Sequence, residues 1–193
     1  MCETTAFGVF PLMWALIAMP GQVIELLLGP KWSFAATLLP PLALSFMWHP
    51  IQSLNLQVLQ AKGRSDLFLK VEIVKKIAGV AILCCTIPLG LRGMCWGLVA
   101  NSAVMFLCNT YYNRRLIKAG AWAQLRIILP SFFASGIAAA GASFIASLFG
   151  SAWAGLATGL AAGLLIYMLW AALTRRPAPG YLRDLVSRRL RER

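Results

Sequence analysis

The chain's only histidine, His49, sits next to Pro50 in the middle of a long apolar run, and Gln52, Ser53, Gln57 and Gln60 follow it. At helical spacing these five fall within a sector of roughly 140°, with Asn55 just outside it. Amides, a hydroxyl and an imidazole can bind sugars or phosphates or pass a proton, and each costs free energy in hydrocarbon unless it meets a partner or water. The stripe therefore reads either as one wall of a wet cavity, a substrate pathway, or as hydrogen-bonding glue between helices. Asn101 and Asn109, near one face of a later run, can line the same cavity or bond a neighbouring helix. Enzyme chemistry has little to work with. There is no H-E-x-x-H, no nucleophile elbow, no P-loop, and only six acidic residues, most of them near the ends of apolar runs. His49 with Glu25 or Glu72 is the one acid–base pairing available, and Glu25 reads as an ordinary interfacial carboxylate. The expectation is a protein that is not an enzyme, with no catalytic residue, cofactor or metal.

Composition defines what must position these groups. Of 193 residues, 60% are hydrophobic and 12% charged, and the mean hydropathy is +0.73. Soluble domains carry about twice that share of charge. The sequence divides into apolar runs at 6–28, 34–59, 71–89, 94–112, 127–149 and 152–173. Each is long enough to cross a hydrocarbon core of about 30 Å. The fold class expected is all-α, a polytopic membrane bundle of about six transmembrane helices over 1–173. The residues before the first run carry no basic segment and no small-residue cleavage site follows it, so that run reads as a retained helix. Pro11, Pro20-Gly21, Pro40-Pro41 and Pro50 interrupt the first two runs. Residues 174–193 read instead as a basic amphipathic tail: Tyr181, Leu182, Leu185, Val186 and Leu190 recur between arginines after Pro177 and Pro179.

A net charge of +12 could suggest nucleic acid, but the cations lie between and after apolar runs, which is topology rather than a binding face. No nucleic-acid partner is expected. Of 18 Lys and Arg residues, all but Lys31 and Arg92 fall in three alternate segments. These hold Lys62, Arg64, Lys70, Lys75 and Lys76; then Arg114, Arg115, Lys118 and Arg126; then the tail. The positive-inside rule places those segments, and both termini, in the cytoplasm. Asp66 with Lys70 and Glu72 with Lys76 have the four-residue spacing of helical ion pairs. Of the five cysteines, most lie in or at the edge of apolar runs and read as small hydrophobes. Gly155, Gly159 and Gly163, with Ser131, Ser135, Ser143 and Ser147, have the spacing of close helix–helix contact, within this chain or with another.

The stretch from Asn55 through Gln57, Gln60, Lys62-Gly63-Arg64-Ser65-Asp66, Lys70 and Glu72 to Lys75-Lys76 closely resembles a segment of Wzx-type oligosaccharide flippases. These are the lipopolysaccharide and exopolysaccharide export proteins of the multidrug/oligosaccharidyl-lipid/polysaccharide superfamily. Gly29-Pro30-Lys31-Trp32 and Asn109-Thr110-Tyr111-Tyr112 are similar to further stretches of that family, and the resemblance covers about residues 10–130. It implies a multi-pass protein of the bacterial inner membrane that moves a lipid-linked oligosaccharide between leaflets. Lys62, Arg64, Lys70, Lys75, Lys76, Arg114 and Arg115 would contact its phosphate-bearing headgroup, although positive-inside topology accounts for the same charges. Members have two lobes, and this chain corresponds to their last helices. The other lobe is then expected from a missing N-terminal part or a second chain, beside membrane lipid. The alternatives are half of a cation-coupled multidrug exporter and a non-transporting scaffold of a polysaccharide-synthesis complex.

The charge distribution yields the first prediction. Reporter fusions at Lys31, Arg92 and Ser151 should report the outer side, and those at Gly63, Lys118 and Arg193 the cytoplasm. Inverted signals at Gly63 and Lys118 would overturn the topology.

Overall fold

The computed structural model describes residues 2–61, 63, 65–117, 121–149 and 152–174; the tail beyond Thr174, Lys62, Arg64 and Lys118 lie outside it. Every regular element in the described residues is helical: α1 (Cys2–Ala18), α2 (Pro20–Leu28), α3 (Ser33–Ala36), α4 (Leu39–Phe46), α5 (His49–Ala61), α6 (Ser65–Thr86), α7 (Gly90–Ile117), α8 (Ala121–Ser147) and α9 (Ala152–Leu173), with 3₁₀ turns at Pro30–Trp32 and Ile87–Leu89. The fold is an all-α polytopic helix bundle.

The spans are less regular than six uninterrupted runs. Three stretches are long and apolar enough to cross a membrane by themselves: Asp66–Thr110, Ile128–Ser147 and Trp153–Leu173. The first two expected runs are broken helices, bent by 85° between α1 and α2 and by 50° between α3 and α4, and counting each bent pair as one span brings the total to five. Asp66–Thr110 itself folds back at Ile87–Gly90, since Gly79 on α6 lies against Asn101 on α7 and Gly97 lies against Thr86. Gly90, at φ 72°, permits this reversal, because a side chain is strained there.

Proline position decides which runs break. A residue preceding proline is driven out of the helical region, and Met19, before Pro20, has φ −128° and ψ 48°. Pro40 stands in the first turn of α4, where its missing N–H costs nothing, and Leu38 before that helix keeps helical angles. Pro11 and Pro130 lie inside α1 and α8, which continue through them. The expected loop 113–126 is also shorter, because α7 runs on to Ile117 and α8 starts at Ala121.

The bundle is small inside and large outside. Ala138, Ala142 and Ala146 on α8 are buried, while Phe133, Ile137, Phe144, Leu165 and Leu169 are exposed. Hydrocarbon does not penalise that exposure, and small residues let backbones approach. The three-glycine face of α9 packs within this chain: a Cβ on Gly155 or Gly159 would stand 2.9 Å from the carbonyl oxygen of Ala146 or Ala142. α1 runs antiparallel to α9, with the Tyr167 hydroxyl donating to the Phe7 carbonyl at 3.1 Å and Met19 against Gly159. Ser131 and Ser135 are buried on α8; Ser143 and Ser147 bond only their own helix. A second cluster joins α1 to the polar half of the bundle. Trp48 has ring centroids of Phe10, Phe106 and Phe132 each 5.7 Å away. One end of the bundle collects the turns before Trp32, Trp96 and Trp153, all exposed, where amphipathic rings suit a membrane interface.

The glycine face gives the second prediction. Gly159→Leu should destabilise the detergent- or nanodisc-held protein by about 1–3 kcal/mol, because Ala142 and Met19 leave no room for a side chain. Ala161→Leu, on the exposed side, should leave the melting temperature unchanged. Equal midpoints for the two variants would refute this packing.

Candidate functional site

The polar residues converge between α5, α6 and α7. A pocket of about 260 Å³ is lined by His49, Gln52, Ser53 and Leu56 from α5, Glu72, Lys75 and Lys76 from α6, and Met105 and Asn109 from α7. By the helical rise of about 1.5 Å per residue, Lys75 and Asn109 lie roughly 22 and 28 Å along their legs from the Gly90 turn. In a hydrocarbon core of about 30 Å, that depth is near the end opposite the exposed tryptophans.

Two turn residues, Met47 and Trp48, separate α4 from α5, and Leu39–Leu54 runs on as one stretch that supplies the wall on α5. Pro50 has no N–H for the Phe46 carbonyl one turn back, and the Ser102 hydroxyl on α7 donates to the neighbouring Ser45 carbonyl at 2.9 Å. Gln52 Nε2 donates to the Ser102 carbonyl at 3.0 Å and to its hydroxyl oxygen at 3.3 Å. These contacts turn His49 and Ser53, both exposed, toward the pocket. Gln52 itself is spent on holding helices together.

The opposite wall is charged. Lys75 is only 7% exposed, and its ammonium pairs with the Glu72 carboxylate one turn earlier. Burial makes such a partner necessary, since an unpaired ammonium at this depth would cost several kcal/mol. The i,i+4 spacing suggested Glu72 with Lys76; the structure pairs it at i,i+3, and Lys76 remains exposed on the pocket lining. Asn109 closes the base. It is fully buried, and neither its Oδ1 nor its Nδ2 has a hydrogen-bond partner among the described residues. An amide so enclosed and unsatisfied, on a pocket wall, is suited to a bound polar group or water.

The remaining sequence-derived residues are distributed as follows. Gln57 and Gln60 are exposed further along α5 and do not line the pocket. Asn101 packs on Gly79 of α6, nearer the turn, with its Nδ2 4.0 Å from Met105 Sδ. Lys70 is exposed outside the pocket. Lys62 and Arg64, and the side chains of Asn55, Arg114 and Arg115, lie outside the described residues. Glu72 is the charged pocket residue that the sequence reading did not place in the site; its signals were its spacing to the lysines and its availability as an acid–base partner of His49.

No protein-family model matches the chain, and no solved structure does. Among curated proteins it is similar to the teichuronic acid biosynthesis protein TuaB of Bacillus subtilis strain 168, 30% identical over 173 residues, which are 87% of this chain and 36% of that protein. The chain thus spans little more than a third of the length of the relative it matches.

Pocket wetness is directly measurable. With the native cysteines removed, Ser53→Cys and His49→Cys should react with a water-soluble thiol reagent. Phe46→Cys, exposed on the neighbouring helix, should label only with a lipid-soluble one. Equal labelling of all three would show that the pocket does not divide water from lipid.

Proposed function

We propose that this chain is the C-terminal part of a transporter of the bacterial inner membrane. It moves lipid-linked oligosaccharide repeat units from the cytoplasmic to the outer leaflet, for lipopolysaccharide or exopolysaccharide biosynthesis. The observation that carries this reading is the pocket itself: a buried lysine, an asparagine unsatisfied among the described residues and an exposed histidine gathered near one end of an otherwise apolar bundle. Polar groups at membrane depth are costly and are kept where a substrate or ion passes. The similarity to a teichuronic acid biosynthesis protein supports a polysaccharide cargo, as does the Asn55–Lys76 stretch, which brings Leu56, Glu72, Lys75 and Lys76 to the pocket lining.

The pocket's lining offers donors rather than a nucleophile–base arrangement, so the role proposed is transport and not catalysis. Lys75, Lys76 and His49 attract a phosphate-bearing headgroup from the cytoplasmic side, to which the basic segments between α5 and α6 and between α7 and α8 are assigned. Asn109 and Ser53 supply hydrogen bonds once it has entered. The rest of the pathway is contributed by a further lobe, as an N-terminal part or a second chain, and the two bodies rock about the bound group.

The test is genetic. Asn109→Leu and His49→Ala, introduced at the native locus, should each lower surface polysaccharide by roughly tenfold, the scale of one or two lost hydrogen bonds to a charged ligand. Lipid-linked repeat units should accumulate, with protein abundance unchanged. Altered drug sensitivity with normal polysaccharide would indicate multidrug export instead. A failure to make the lipid-linked unit at all would indicate a scaffold.

A further inference from the structure

We infer that Glu72 is an internal, displaceable counter-ion: it occupies the anion position on Lys75 until a phosphate group takes its place. The inference rests on the transport reading for the class of ligand, and on the pocket's own geometry for the exchange.

Three observations carry it. First, Lys75 is 7% exposed and its ammonium is held by the Glu72 carboxylate. An oxyanion is therefore already stabilised at this point. Such an ammonium tolerates a change of partner far better than the loss of one, so the carboxylate can leave only as another anion arrives. Second, Glu72 has somewhere to go. Its side chain is 29% exposed, and Lys76, also on the pocket lining, lies at the i,i+4 spacing that helical ion pairs favour. Swinging from Lys75 to Lys76 keeps both charges paired and frees the inner position. Third, the pocket has a donor left over. Asn109 is fully buried on the lining of the same pocket, with both amide atoms unpartnered among the described residues.

The charged or titratable groups lining the pocket are His49 from α5 and Glu72, Lys75 and Lys76 from α6, while α7 adds only Met105 and Asn109. With Glu72 moved aside, the inner pocket presents the Lys75 ammonium and an amide N–H to a volume of about 260 Å³, several times the roughly 30 Å³ share of one water. A phosphate or diphosphate oxygen is matched by that set, because it accepts from both donors in charge-assisted bonds. A neutral sugar hydroxyl could not replace the carboxylate, because it leaves the buried ammonium without a counter-charge. The exchange thus makes the pocket selective for the charged part of a lipid-linked substrate, and it suppresses occupation by uncharged groups.

The experiment uses the full chain in phosphatidylcholine nanodiscs, with two probes: inorganic pyrophosphate in solution, and a polyprenyl phosphate doped into the bilayer. Glu72→Gln removes the competitor without changing size. It should tighten anion binding by roughly tenfold or more, the scale of one freed charge-assisted contact. It should also lower the melting temperature in the absence of anion and recover it when anion is added. In the Lys75→Met background the same Glu72→Gln change should have no effect on the weaker binding that remains. Equal tightening in both backgrounds would mean simple charge repulsion, and unchanged or weakened binding in Glu72→Gln would mean that the carboxylate does not compete; either result overturns the inference. Response to the polyprenyl phosphate alone assigns the site to a membrane-borne headgroup, and response to both probes assigns it to the phosphate group itself. The transport reading stands or falls separately. Export lost in Asn109→Leu without any Glu72 effect on binding would remove only the counter-ion, whereas tightened binding with normal export in the pocket variants would remove only the transport role.

Discussion

The hydroxyl of Ser102 holds together the part of this bundle that differs from a simple stack of helices. A helix that breaks in hydrocarbon leaves carbonyl groups with no water to satisfy them. At the two turn residues between α4 and α5, Ser102 donates to the Ser45 carbonyl and Gln52 returns two bonds to Ser102. One side chain on α7 thereby ties the end of α4 and the first turn of α5 to the same neighbour. His49 and Ser53, on that part of α5, line the pocket, and α6 packs against α7.

Around this point the molecule is built in two manners. The α1, α8 and α9 side relies on backbone contact, with Gly155, Gly159 and Gly163 against Ala138, Ala142 and Ala146. Such packing tolerates little change of shape. The α5, α6 and α7 side relies on polar contacts among longer side chains, which have alternative partners. Trp48, stacked on Phe132 and tilted against Phe106, joins the two. With the two manners of packing apart, rearrangement of side chains at the pocket need not disturb the close-packed face.

Much of this architecture is visible in the residues themselves. Six apolar runs anticipate where helices lie, because hydropathy follows the solvent each residue must share. Direction is less visible. Pro11 and Pro20 look alike in sequence, yet α1 continues through one and the chain turns by 85° just before the other, although Phe10 and Met19, the residues preceding them, are both buried. The polar stripe on α5 is legible as a stripe, but its division is not. Gln52 becomes glue, His49 and Ser53 line the pocket, and Gln57 and Gln60 extend past it, because the outcome depends on where Ser102 and α6 happen to stand. The pairing of Glu72 with Lys75 is hidden for a similar reason. Spacings of three and four both permit contact, and only burial of one lysine decides between them.

That burial also separates two meanings of positive charge in this protein. Orientation in a membrane requires lysines and arginines at one set of helix ends, and it is satisfied by residues standing in water or among headgroups. Lys70 and Arg126, both exposed, need no other explanation. Lys75 does, because an ammonium turned inward and 7% exposed contributes nothing to orientation that its exposed neighbour Lys76 does not already supply. It carries a desolvation cost that Glu72 offsets only in part, since a buried pair is seldom more stable than apolar side chains in the same space. Stability therefore does not account for the pair, and neither does topology. What the arrangement does provide is a paired charge on the lining of a polar pocket, which it shares with an asparagine whose amide is unsatisfied among the described residues. The proposed exchange of counter-ions would give both a use.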